Sequence, residues 1–313
     1  MWSRRELIAR MAAGIGAFAI TDAALAATKR KPAAHTMLKR PIHSAKQDES
    51  LPVIGMGTWN TFDVGASTDE RQPLVGVLKA FYDAGGRVID SSPMYGNAES
   101  VSGDLIEALS AQPKTFYATK VWTRGLENGV AQIEQSMRRM KTSRLDLLQI
   151  HNLLDWRTHL STLRRMQIEG RVRYCGVTHY TESAYPDLEA ALTTEAFDFA
   201  QFNYSIASRE AEKRLLPLCQ ERGISVLINR PFEEGDLFTR VRNHKLPAYA
   251  KHLGVHSWSQ FFLKFIISHP AVTCVIPATS RVEHMKDNVQ AGFGPMPDAK
   301  LRERMARDVM GKA

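Results

Sequence analysis

Four side chains able to move a proton close three successive apolar runs. Val88-Ile89 ends at Asp90, and Tyr95 follows on the next segment, past Pro93. Thr115-Phe-Tyr-Ala-Thr ends at Lys120, and Leu147-Leu-Gln-Ile ends at His151. A phenol with a pKa of about 10 is a poor acid at neutral pH. A lysine ammonium beside it favours the phenolate and lowers that pKa. A carboxylate keeps the lysine charged and in place, and a histidine can orient a carbonyl oxygen next to the phenol. Such a set polarises and protonates a C=O while another group delivers hydride, and it calls for no metal. Taken singly, each residue also has an ordinary reading: Asp90 as a loop cap, Tyr95 as a rim aromatic, Lys120 as a solvated charge, His151 as a satisfied polar core group. Their joint order is what points to chemistry.

To meet, the four must hang at the carboxyl edge of parallel strands, where ligands collect in α/β proteins. The chain supplies those strands. Val53-Ile-Gly-Met-Gly-Thr-Trp59 reads as the first, followed by a capping-box pattern at Ser67–Glu70 and a helix burying Leu74, Leu78, Phe81 and Tyr82. The second ends at Asp90, with a helix near 98–110; the third ends near Lys120, with Val130, Ile133, Met137 and Met140 on one stripe behind it. The fourth ends at His151 and is followed by a helix near Trp156–Ile168. Val172–Thr178, Phe197–Asn203, Ile224–Asn229 and Val272–Ile276 complete the set, with helical patterns between them and an extra helix expected in the longer connection from Pro231 to Trp258. Eight βα units in line predict an α/β fold, a single (β/α)8 TIM barrel over residues 51–313. A doubly wound dinucleotide fold is the alternative, but Gly55-Met-Gly57 has no third glycine in register.

The chain has 313 residues, 44% hydrophobic and 24% charged, which suits one large globular domain. The formal charge of +8 is scattered, and no segment interleaves aromatics with Lys and Arg, so no nucleic-acid partner is expected. A positive balance does suit a ligand carrying several phosphates. The three cysteines, Cys175, Cys219 and Cys274, are far apart and imply no disulfide framework. His252 and His256 are interrupted by Gly254 and lack a third ligand, so no metal site is expected.

Residues 1–26 read as an export signal. Arg4-Arg5 precedes an apolar stretch from Met11 to Thr21, too short to span a bilayer, and Ala24-Leu-Ala26 offers a cleavage site. The arginine pair resembles a twin-arginine signal, which predicts a periplasmic protein that meets the membrane and the export machinery only during passage, with a cytoplasmic location as the alternative. Residues 27–50 read as a linker with a possible short hairpin near Met37–Ile42 pairing into Leu51-Pro-Val53.

The sequence from about 51 to 294 resembles the aldo/keto reductase superfamily. Ile89-Asp-Ser-Ser-Pro-Met-Tyr-Gly-Asn-Ala-Glu99 is similar to that family's Asp-Thr-Ala-x-x-Tyr-Gly-x-x-Glu. Lys120-Val-Trp122, Gln149-Ile-His151, Gly176-Val-Thr-His-Tyr180, Gln201-Phe-Asn-Tyr-Ser205 and Ile276-Pro-Ala-Thr-Ser280 through Asp287-Asn288 follow in the family's order. The resemblance implies Asp90, Tyr95, Lys120 and His151 as a catalytic tetrad, with Tyr95 the general acid, and a carbonyl or alcohol as substrate. It implies Thr178, His179 and Gln201 at the nicotinamide carboxamide, and Ser280, Arg281, His284, Asp287 and Asn288 along the adenosine half. Trp59, Phe62, Met94, Trp122 and Asn152 are expected to line the substrate cavity. The chain also departs from the family. The aromatic that usually follows strand seven is replaced by Asn229-Arg230-Pro231-Phe232, and Arg230 is expected near the pyrophosphate. Ala278 and His284 stand where many relatives have lysine and arginine, leaving Arg281 and Lys286 to compensate. NADP(H) is favoured and NAD(H) is possible. A different-class alternative is a nicotinamide-binding sensor or partner subunit on the same barrel.

Overall fold

The computed structural model describes residues 36–45 and 47–311; the expected signal at 1–26 lies outside them. The described chain begins with a hairpin, β1 (Lys39–Pro41) paired antiparallel with β2 (Ser50–Pro52). Then strands and helices alternate: β3 (Met56–Gly57), α1 (Thr68–Asp83), β4 (Val88–Asp90), α2 (Ala98–Ala108), β5 (Phe116–Val121), α3 (Leu126–Arg139), β6 (Leu145–His151) and α4 (Trp156–Ile168). They continue with β7 (Val172–Thr178), α5 (Tyr185–Thr194), β8 (Phe199–Asn203), α6 (Leu215–Arg222), β9 (Ser225–Asn229), α7 (Asp236–Val241), α8 (Trp258–Ile267), β10 (Cys274–Val275), α9 (Val282–Gln290) and α10 (Ala299–Met310). Strands β3 to β10 form one parallel sheet in sequence order, and parallel bridges from Ile54 to Val275 and from Gly57 to Ala278 join its edges. This is the expected (β/α)8 barrel.

The first strand is shorter than its apolar run suggests, because closure depends on glycine. A Cβ on Gly57 would stand 2.9 Å from the Ile276 carbonyl oxygen, so β3 reaches its neighbour only without side chains there. The glycine pair that lacks a dinucleotide fingerprint is therefore a seam of the barrel.

Period-two alternation explains what the barrel holds. The inward positions low in the barrel are apolar: Val88, Phe116, Leu147, Tyr174, Phe199, Leu227 and Cys274 form one cluster. Ile42 and Leu51 of the hairpin segment complete that cluster from below. Glu49 accepts a hydrogen bond from Tyr174 at 2.8 Å and pairs with Arg173 at the start of β7, while the His43 N–H donates to Ser225 Oγ at 3.1 Å. The hairpin thus closes the amino-terminal end. Two residues further along the same strands the inward positions turn polar at Asp90, Gln149 and Gln201, and in β5 the turn comes at Lys120, two past the inward Ala118. The second, larger core lies between sheet and helices and takes in Phe81, Ile133, Leu163, Leu188, Phe262 and Met305. All three cysteines are buried there or in the barrel as free thiols. Among the described residues no helix is long and apolar enough to cross a membrane, and no group of three or more His, Cys, Asp or Glu could hold a metal ion.

Candidate active site

The polar layer of the barrel centres on Asp90. Lys120 Nζ donates to Asp90 Oδ2 at 2.5 Å and to the Ser91 carbonyl at 2.7 Å, and both ionic side chains are essentially fully buried. Gln149 and Gln201 each donate Nε2 to Asp90 Oδ1 at 3.0 Å. Three donors, one each from β5, β6 and β8, thus converge on one carboxylate. Gly176 makes room for this arrangement: a Cβ there would meet Gln149 Cγ at 2.9 Å. Burial alone would lower the Lys120 pKa, but the Asp90 charge and hydrogen bond more than reverse it, so the ammonium is held above its ordinary value.

Tyr95 stands over this pair. The Lys120 Nζ lies 5.3 Å from the centroid of its ring, and His151 meets the ring edge-on at 5.9 Å. The phenol differs from the sequence expectation in one respect. Burial, the largest influence, raises its pKa; Lys120 opposes this and Asp90 adds to it, so the phenol keeps its proton. His151 is pushed the other way, down to about 2, by burial and then by the Lys120 charge. It is a neutral imidazole whose Nδ1 lies 3.0 Å from Ser92 Oγ.

A cavity of about 1250 Å³ opens above these groups at the carboxyl ends of the strands. Asp90, Tyr95, His151, Thr178, Gln201, Arg230, His284, Asp287 and Asn288 all line it, as do Trp59, Met94, Trp122 and Asn152. Lys120 lies beneath the wall against Asp90, and five other sequence candidates do not reach it. Phe62 is fully buried in the core behind the Trp59 segment. The His179 ring folds back on its own loop, where Nδ1 accepts from the Tyr180 and Thr181 N–H groups at 3.1 and 3.3 Å. Arg281 turns outward into a 2.7 Å ion pair with Glu283, and Ser280 is exposed beside it. Lys286, offered as a compensating cation, is also exposed and outside the wall. Asp287 and Asn288 reach the cavity but are engaged: Ser257 Oγ and Gln260 Nε2 each donate to Asp287 at 2.6 Å, and Ser259 bonds Asn288.

Several wall residues were not singled out from the sequence: Tyr180, Phe232, Phe238, Ser257, Trp258, Ser259 and Thr279. Phe238 and Trp258 lie in or after the long connection, where no periodicity distinguishes a wall from a core. Phe238 packs on Phe232 at 5.0 Å and on Phe262 at 5.7 Å, which carries the core into the cavity wall.

The cavity retains unmet polar demand. Asn152 Oδ1, Asn229 Oδ1 and Arg230 Nε are buried without a partner among the described residues. The backbones of Asn152 and Arg230 are left-handed, with φ of 53° and 50°, a conformation that costs non-glycine residues energy and concentrates at ligand sites. Buried polar atoms are nearly always satisfied, so this wall fits a ligand rich in acceptors and donors.

The profile of the aldo/keto reductase family matches residues 53–304. The chain belongs to the aldo/keto reductase family. Among its relatives is a methylglyoxal reductase of Escherichia coli (strain K12), 29% identical over 251 residues, which cover 77% of this chain and 85% of that protein. An NADH-specific methylglyoxal reductase of the same organism is 26% identical over 249 residues, covering 70% and 75%. An aldo/keto reductase of Klebsiella pneumoniae, solved in complex with NADP and acetate, superposes with a TM-score of 0.69 at 26% identity, covering 84% of this chain and 93% of that one. In this chain Asp90, Tyr95 and His151 line the cavity at the barrel mouth, and Lys120 lies buried against Asp90 beneath it.

Proposed function

We propose that this aldo/keto reductase reduces an aldehyde or ketone to the alcohol, or runs the reverse, with a nicotinamide cofactor and Tyr95 as the group that exchanges the proton. The observation that carries this reading is the buried Lys120–Asp90 pair beneath a protonated Tyr95 and a neutral His151, at the floor of one cavity. A bound nicotinamide would supply the hydride to the carbonyl carbon. The chain's own residues supply the rest. Tyr95 gives its proton to the carbonyl oxygen, Lys120 stabilises the phenolate left behind, and Asp90 keeps Lys120 charged in a dry site. Asn229, Arg230 and Asn152 offer partners to the cofactor or substrate, and Trp59, Met94 and Trp122 supply an apolar mouth. The relatives' names make methylglyoxal the first carbonyl to test.

The cofactor reading is NADP(H) or NAD(H) with weak discrimination. The α9 side of the wall offers the His284 imidazole and the Asp287 carboxylate, and no lysine or arginine of α9 reaches it among the described residues. A 2′-phosphate finds little there beyond His284. Fluorescence titration of the purified protein with NADPH and with NADH is expected to give dissociation constants within about tenfold of each other, since a single exposed polar or ionic contact contributes at most about 1 kcal/mol. A larger ratio would overturn the weak-discrimination reading. Addition of methylglyoxal to the same cuvette should then consume the reduced nicotinamide. Binding of both cofactors with no turnover on a broad carbonyl panel would move the reading to a sensor or partner subunit.

We also propose that residues 1–26 direct export by the twin-arginine route, on the strength of Arg4-Arg5, the short apolar stretch and Ala24-Leu-Ala26. That route carries folded proteins, so the cofactor could travel bound. Cell fractionation is expected to find the protein in the periplasm and to find Arg4→Lys/Arg5→Lys retained in the cytoplasm. Equal distribution of both would sink the idea.

A further inference from the structure

The segment Asp90-Ser-Ser-Pro-Met-Tyr95 carries Ser92 where the family pattern it resembles has alanine. Ser92 is fully buried and outside the cavity wall, and its Oγ lies 3.0 Å from His151 Nδ1. Its other polar neighbour is the Met94 backbone N–H at 3.5 Å, which can only donate. Among the described residues, Nδ1 is therefore the one acceptor within reach of the Ser92 proton. Among the described residues no hydrogen bond engages His151 Nε2, and the ring forms part of the cavity wall.

We infer that Ser92 fixes His151 as its Nε2–H tautomer and so makes the imidazole a hydrogen-bond donor to the substrate oxygen. The direction of the relay runs from the Met94 N–H to Ser92 Oγ, from the Ser92 O–H to Nδ1, and from Nε2–H into the cavity. The opposite tautomer leaves a buried hydroxyl proton without an acceptor, which is costly. It also turns a lone pair toward the carbonyl oxygen that the site must bind. Because the ring is neutral, the tautomer and not the charge decides whether it donates or accepts. Links in such a chain polarise one another, so the donor at the far end is strengthened as well as aimed. Ser92 touches no substrate; it is a positioning residue. The inference rests on the carbonyl-reduction reading only for its purpose, since the tautomer itself exists without turnover.

The test is a long-range ¹H–¹⁵N correlation spectrum of the full-length protein with labelled histidines, assigned with His151→Gln. The wild type is expected to show the Nε2–H pattern for His151. Ser92→Ala is expected to shift His151 toward a tautomer mixture and to lower kcat by about ten- to a hundredfold, the scale for weakening one oxygen-stabilising donor, with the NADPH dissociation constant unchanged. An Nδ1–H pattern in the wild type overturns the inference, as does Ser92→Ala with the wild-type tautomer or the wild-type kcat. If Ser92→Ala does not fold, the wild-type spectrum decides alone. If no carbonyl is ever reduced, the spectrum still reads the tautomer, so the two failures are told apart.

Discussion

Tyr95→Phe is expected to lower kcat for carbonyl reduction by about a hundred- to ten-thousandfold, the usual range for a positioned general acid. The cofactor dissociation constant should stay within about twofold, a negligible free-energy change. The ring itself is kept, so its edge contact with His151 at 5.9 Å and its place over Lys120 survive. Only the transferable proton is lost. Reduced-nicotinamide absorbance reports kcat, and fluorescence reports binding. A variant that retains a fifth or more of the wild-type kcat would show that another group, or water, delivers the proton. The pH profile follows from the same geometry. Reduction needs Tyr95 protonated, and its pKa is raised above 10, so activity is lost only as pH climbs through that raised value. Lys120 is raised above 10.5 and stays charged over the same range. His151 is held at about 2, well below the histidine value of 6.5, so no inflection from it belongs near neutrality. A flat rate across neutral pH with an alkaline descending limb is expected, and a limb centred near 6.5 would contradict the neutral imidazole.

Lys120→Met is expected to cost both activity and the fold. The side chain is isosteric enough to fill its space, but it strips the buried Asp90 carboxylate of its cation. Removing one partner of such a pair costs about 3–5 kcal/mol, because a charge is left uncompensated in a dry site. Gln149 and Gln201 still donate to Asp90 and hold part of that loss down. Lys120→Met combined with Asp90→Asn removes the orphaned charge, and its stability should recover by more than half of the single variant's deficit while kcat stays low. Denaturant titration measures the first quantity and absorbance the second. A double variant no more stable than Lys120→Met would mean that packing, and not the buried charge, sets the penalty.

The barrel was legible because each strand announced itself as an apolar run bounded by turn residues, and because eight of them came in line. The polar floor was legible for the same reason: Asp90, Lys120 and His151 each end a run, and strand ends meet at one mouth. The failures have specific causes. Phe62 and Trp59 stand close together in the sequence, yet only Trp59 faces the cavity, and spacing within a loop carries no face. His179 was placed by resemblance at the nicotinamide, but two backbone N–H groups nearby hold its ring to its own loop. Arg281 was assigned by position, and a neighbouring glutamate turns it outward. The Tyr95 pKa went the opposite way because burial is a tertiary property with no sequence signature. Helix α10 was not anticipated; it follows a short Gly-Pro segment at 294–297, past the last strand that the alternation called for.

The hairpin at the amino-terminal end bears on how the protein can be handled. The β1–β2 hairpin caps the barrel opposite its mouth. A tether attached upstream of that hairpin would therefore anchor the protein with the cavity facing away from the support. Immobilised on a bead or an electrode by that route, the enzyme should present its open end to the solution.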